Sequence, residues 1–157
     1  MSVYSFIVRK ANKNDAPAVR AILQEAFSKY MKDTGLTGSM EALDETIEDT
    51  AAAIRSLEVF IAYVNEIPVG TIRFEIEGDT AHISRFGVRL EYHNIGIGKS
   101  LMNLVDAEIS GLGLKKAYLY SASSYSDLIR FYYGRGFYIE STSTDRGYIR
   151  ARLVKNY

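Results

Sequence analysis

At 157 residues the chain has the length of one ordinary domain, residues 1–157, with a single core burying about two thirds of the surface the unfolded chain exposes. Its 19 basic and 19 acidic residues cancel, which removes the positive field that non-specific nucleic-acid or anionic-membrane binding requires. The lack of cysteine excludes disulfides, thiolate metal sites and a cysteine acyl-enzyme. With no signal-like start and no apolar run near the roughly 18 residues that cross a bilayer, the expectation is a soluble, cytoplasmic protein.

Phe6 to Lys10 reads as a short first strand. Asp15 stands where it can cap a helix whose Val19, Ile22, Leu23, Ala26, Phe27 and Tyr30 follow the helical period. The stretch "MKDTGLTGS" reads as a loop. A second helix follows with Ser39 as its cap, Leu43, Ile47, Thr50, Ile54 and Leu57 on one side, and Asp44, Glu45, Glu48 and Asp49 on a solvated acidic face.

From Val59 the period becomes that of strands. "VFIAYVN", "VGTIRFEI" and "TAHISRFGV", separated by turns near Glu66 to Pro68 and at Gly78 and Asp79, make an antiparallel meander. "KSLMNLVDAEISGLG" returns to helix, with Leu101, Met102, Val105, Ile109 and Leu112 inward and Gly113 ending it. "KAYLYSA" is the next strand. Ser124 and Asp127 fit a capping box for a helix through "SDLIRFYYGR", Gly136-Phe137 restarts the chain as strand, and "YIRARLV" is the last. The order β-α-α-β-β-β-α-β-α-β-β implies an α/β fold of α+β type, a mixed, mostly antiparallel sheet with helices on both faces.

One segment carries a phosphate signal. "HNIGIGKSLM", residues 93–102, ends as a nucleotide-binding P-loop ends, but the pattern's first glycine is replaced by His93 and the loop follows a meander strand. What remains is a glycine turn opening a helix, with free backbone N–H groups and the positive end of the helix dipole facing an anion; Lys99 and Ser100 are then first-turn residues. Upstream, Gly87 interrupts "ISRFGVRL", and a glycine within a strand marks a bulge or the close approach of another chain.

Taken together, "AHISRFGVRLEYHNIGIGKSLMNLVDAEI" resembles the acyl-CoA motif of the GCN5-related N-acetyltransferase (GNAT) family, a strand, then Gln/Arg-x-x-Gly-x-Gly/Ala, then a helix. "SDLIRFYYGRGF" resembles the family's later motif, in which a tyrosine stands four residues before a Gly-Phe pair. The resemblance implies the acyl-CoA N-acyltransferase fold, in which two adjacent strands splay apart and acetyl-CoA, a co-substrate, inserts its pantetheine arm between them. It places His93, Asn94, Ile95, Gly96, Ile97 and Gly98, with Lys99 and Ser100, at the pyrophosphate, and the backbones of Phe86 and Val88 along the pantetheine. His93 stands where the family has Gln or Arg, and Tyr125 where relatives often carry an asparagine beside the cofactor arm.

The same resemblance makes Tyr132 the general acid that protonates the departing CoA thiolate; Tyr133 points about 100 degrees away on the helix. Several relatives place a glutamate at the position of His82, which makes this histidine the candidate base; strand alternation sets His82, Ser84 and Phe86 on one face up to Gly87. A backbone N–H near the splay, such as that of Val88, is placed to stabilise carbonyl charge. The implied activity is acetyl transfer to a primary amine by direct attack, without a metal. The acceptor, a small molecule or a peptide, lies in a cleft flanked by Asp33 to Ser39 and by "ESTSTDRGY". Rival readings are a non-catalytic acyl-CoA-binding module on this fold and a P-loop phosphotransferase. Oligomeric state is open, a homodimer included.

Overall fold

A computed structural model describes residues 5–38 and 40–157. The elements are β1 (Phe6–Lys10), α1 (Ala16–Thr34), α2 (Glu41–Asp44), α3 (Ile47–Ser56), β2 (Glu58–Val64), β3 (Ile67–Glu77), β4 (Thr80–Val88), α4 (Ile97–Gly111), β5 (Lys116–Ala122), α5 (Ser126–Gly134), β6 (Tyr138–Ser143) and β7 (Arg150–Asn156). The seven strands form one sheet in the order β1-β2-β3-β4-β5-β7-β6. Every neighbouring pair is antiparallel except β4 and β5, which run parallel and pair only from Thr80 to His82 against Lys116 to Tyr118. Beyond those three pairs the two strands part. Among the described residues, no helix is long and apolar enough to cross a membrane.

Helices cover both faces. On one, Leu101, Met102, Val105 and Ile109 of α4 are buried against Phe60, Ile72, Phe74 and Ile83, and this core continues through Leu119, Leu153 and Phe137. On the other, Val19, Ile22 and Leu23 of α1 and Ala53 and Ile54 of α3 pack on Val59 and Ile61. Both clusters obey the periodicities that the sequence displays.

Several local expectations are corrected by contacts distant in sequence. Asp15 does not cap α1 with its side chain; it is buried and accepts from Arg9 at 2.7 and 3.0 Å, from Tyr63 at 2.7 Å and from the Asn12 N–H at 2.8 Å, within a 3-10 turn over Lys13–Asp15. Helix α1 runs on through Thr34, four residues into the stretch read as loop, and ends at Gly35, whose φ of 70° suits a glycine. The second predicted helix breaks into α2 and α3. Glu45 causes the break: its backbone is extended and its carboxylate turns inward, so α3 restarts with a Thr46–Asp49 capping box, and Ser39, the expected cap, lies outside the described residues. Glu45 is therefore no member of a solvated acidic face. At the end of α4, Leu112 is 51% exposed rather than inward, with Gly113 (φ 72°) closing the helix. The Ser124–Asp127 capping box is also absent, since the cap position of α5 falls on Tyr125 and no side chain caps it.

The bulge lies two residues before Gly87. Thr71 pairs with Gly87 and Arg73 with Ser84, so Arg85 and Phe86 together face Ile72, and Arg85 sits at φ 54°. This extra residue reverses the alternation of β4. Phe86 consequently packs on Phe131 of α5, with ring centroids 5.6 Å apart, on the sheet face opposite His82 and Ser84. Gly87 serves packing: a Cβ there would stand 2.7 Å from the Cβ of Ala26 on α1.

Candidate active site

Where β4 and β5 part, two clefts open and meet. The first, of about 590 Å3, is lined by Phe86, Gly87 and Val88 of β4, by His93, Asn94, Gly96, Ile97, Gly98 and Lys99 after it, by α1 through Ala26 to Tyr30, and by Tyr125 and α5. Ile95 and Ser100 do not line it; Ile95 packs toward the core and the Ser100 N–H closes the first helical bond onto Gly96. The remaining predicted phosphate-loop residues do come together.

The loop takes this shape for identifiable reasons. Asn94 and Gly96 adopt positive φ (65° and 91°), and Gly96 is the cap residue of α4. The N–H groups of Ile97, Gly98 and Lys99 have no carbonyl partner within the helix and face the cleft end of the dipole, which favours an anion. Gly98 permits close approach, since a Cβ there would lie 3.1 Å from the Phe86 ring. The His93 ring, through Nε2, sits 2.8 Å from the Val88 carbonyl and ties the loop to the strand. That contact occupies one of the two polar backbone groups of Val88.

At the mouth of this cleft, Tyr125 stacks on Tyr30 (5.5 Å) and donates its hydroxyl to Asp33 at 2.8 Å, while Asp33 also pairs with Lys29. The Tyr30 hydroxyl accepts from the N–H of Ala122 at 2.7 Å, so α1 reaches across the parted strands to the end of β5. Periodicity marks Tyr30 as a packing residue; a bond spanning 92 residues leaves no local signal.

The second cleft, of about 780 Å3, shares Phe27, Tyr30, Phe86 and Leu128 with the first. It contains His82, Ser84, Arg85, Tyr120 and Tyr132, and its rim includes Gly35 to Thr37 after α1 and Arg146 to Tyr148 before β7. Both stretches expected to flank the acceptor thus reach this cleft. His82 stacks flat on Tyr118, with centroids 4.5 Å apart, and meets the edge of Tyr120. Burial pulls its pKa below the usual 6.5 despite the nearby Glu77 and Glu75, so the ring is mostly neutral at pH 7. Glu77 lies 3.7 Å from Nδ1 and accepts the Tyr118 hydroxyl at 2.7 Å; burial first, and then this bond, push that phenol up to about 12. Among the described residues, Glu75, Glu77 and His82 alone bring three metal-competent groups together, and both carboxylates are exposed.

Tyr132 is 4% exposed and ringed by Phe86, Phe131 and Phe137. Burial raises its pKa above the ordinary 10, which keeps the phenol protonated. Tyr133, 49% exposed, instead accepts from the Ile139 N–H at 3.0 Å, so the two neighbouring tyrosines diverge as helix geometry requires. A buried cluster, invisible to local pattern, braces the cleft. Arg73 binds Glu45 through two bonds of 2.9 and 2.8 Å, the Thr50 hydroxyl donates to it at 2.6 Å, and Arg85 at the bulge adds a contact at 3.2 Å.

The family model described as "Acetyltransferase (GNAT) family" matches residues 18–137. No curated protein sequence matches the chain. Among solved structures, the chain is similar to the PaiA N-acetyltransferase from Thermoplasma acidophilum in complex with coenzyme A, at 21% identity and a TM-score of 0.85, covering 98% of this chain and 99% of that one. It is also similar to the ribosomal-protein-S18-alanine N-acetyltransferase from Escherichia coli, at 17% identity and a TM-score of 0.78, covering 97% and 94%. At such identities the likeness speaks for the fold, while the family match spans most of the chain and includes both parted strands, the glycine loop and α5. The chain belongs to the GNAT family of acetyltransferases.

Proposed function

We propose that this protein moves the acetyl group of acetyl-CoA to the nitrogen of a primary amine by direct attack. The observation that carries this reading is the meeting of two clefts across the β4–β5 gap, one bearing an anion-competent helix start and the other bearing His82 and Tyr132. The residues fit acetyl-CoA. Gly98 leaves a space that a Cβ would fill, and the open N–H groups of α4 suit a pyrophosphate. The PaiA structure, with coenzyme A, is consistent with that fit.

Acetyl-CoA supplies an activated thioester, and the chain's own residues supply position and proton traffic. A lysine-like amine with a pKa near 10.4 is neutral in less than about one molecule in a thousand at pH 7, equivalent to over 4 kcal/mol of barrier. His82, neutral at that pH, takes a proton from the amine, directly or through water. Tyr132 gives its proton to the departing sulfur. The Val88 N–H is the candidate donor to the carbonyl oxygen.

The test is thiol release from acetyl-CoA across a panel of primary amines, alongside thermal shifts with acetyl-CoA and with ATP plus magnesium. Acetyl-CoA should raise the melting temperature without magnesium and at least one amine should release thiol. Stabilisation without turnover on any amine makes the protein an acyl-CoA-binding module, and a larger shift with ATP overturns the cofactor assignment.

A further inference from the structure

Charge in the second cleft is unevenly distributed. Arg85, Arg146 and Arg150 line it, against one carboxylate side chain, Glu41. Glu41 offsets Arg146 at 3.6 Å, and the buried Glu45, held by two bonds from Arg73, also meets Arg85 at 3.2 Å, which leaves Arg150 as the lining arginine without an ion pair among the described residues. Asp145 lies close enough to feel Arg150 and Arg146, yet it is exposed and, among the described residues, forms an ion pair with neither.

Arg150 is the informative side chain. Its guanidinium lies over the Tyr120 ring, 4.0 Å from the centroid, and forms no ion pair or hydrogen bond among the described residues. Its Nε is shut off from solvent and unpartnered. The neighbouring Arg152 differs: it lies over Tyr118 but is matched by Glu140 and by the Tyr120 hydroxyl, each at 3.2 Å. The aromatic face thus fixes one arginine, oriented and without its anion, in the wall that holds His82.

We propose that the acceptor is a primary amine carrying a carboxylate, an amino acid in chemical class, whose carboxylate is received by Arg150 while its amine lies toward His82. A fixed guanidinium fork suits a carboxylate and repels a second ammonium group, so diamines and polyamines are disfavoured. The inference rests on the transferase reading above.

The experiment pairs free glycine, phenylalanine and glutamate with their α-amides, with a diamine as control, in the thiol-release assay. At least one free amino acid should exceed its amide in kcat/KM by about tenfold or more, the effect of one charge-assisted hydrogen bond. Arg150→Gln should narrow that ratio below about threefold through a raised KM, and Arg150→Lys should recover part of it. Because each ratio is internal to one variant, a loss of folded protein does not imitate the result. Amides or diamines used as well as free amino acids, or a ratio unchanged in Arg150→Gln, overturn the inference while leaving the transferase reading intact. If no amine turns over, the binding of N-acetylglycine and its amide to the CoA-loaded protein decides separately: preference for the carboxylate, lost in Arg150→Gln, supports the site, and equal binding removes it.

Discussion

Replacing Tyr132 by phenylalanine removes one hydroxyl from the second cleft and leaves the ring among Phe86, Phe131 and Phe137. The phenol's ordinary pKa of about 10 is already above that of a thiol near 8.5, so proton transfer to the leaving sulfur is uphill by about 1.5 units, or roughly 2 kcal/mol. Burial raises the phenol further and steepens that climb. The benefit should therefore fall at the low end of the hundred- to ten-thousandfold usual for general acids, and Tyr132→Phe should lower kcat by about ten- to a few hundredfold. Affinity for acetyl-CoA should stay within about threefold, because the aromatic packing survives. Thiol release under saturating substrates gives the first quantity and calorimetric titration the second. Tyr133→Phe is the matched control, since that hydroxyl is spent on the Ile139 N–H at the surface. Equal losses in both variants, or a loss in Tyr133→Phe alone, would refute the assignment of Tyr132.

Three further outcomes follow from the same geometry. His82 must be neutral to accept a proton, so activity should fall as pH drops through its pKa, below 6.5, and His82→Ala should abolish that limb in the kcat/KM profile; a limb that persists assigns the proton to another group. Asp15, held at about 2 against its usual 3.8 chiefly by the Arg9 bond, contributes about 2 kcal/mol that is present above pH 3.8 and is lost as pH falls through 2. Urea unfolding of Asp15→Asn should accordingly show a deficit at pH 7 that shrinks between pH 4 and 2, whereas a pH-independent deficit contradicts the linkage. Gly87→Ala should cost about 1 to 3 kcal/mol in the same assay, because the new methyl meets Ala26; wild-type stability would show that α1 yields there freely.

The sequence makes the strands, the buried stripes of α1 and α4 and the glycine loop readable because each depends on a local period or a turn. The divergence of Tyr132 and Tyr133, one buried and one exposed, is readable too, from helix geometry. What is hidden depends on long-range pairing. Glu45 looks like one acid in an acidic helix until Arg73, 28 residues away, draws it inward and splits the helix. Arg85 gives no hint of its positive φ, and that one residue moves Phe86 to the opposite face of the sheet from His82. The seat of Arg150 on Tyr120 exists only once β7 pairs with β5, and the bond from the Ala122 N–H to Tyr30 only once α1 meets the end of β5.

Direct attack carries the acetyl group from sulfur to the amine nitrogen without a covalent stop on the protein. A single-turnover reaction with acetyl-labelled acetyl-CoA and an accepted amine tests it directly. The label should appear on the amine in step with thiol release, with none left on the quenched protein. Label accumulating on the protein before the amine, or thiol released with the label in free acetate, would contradict it.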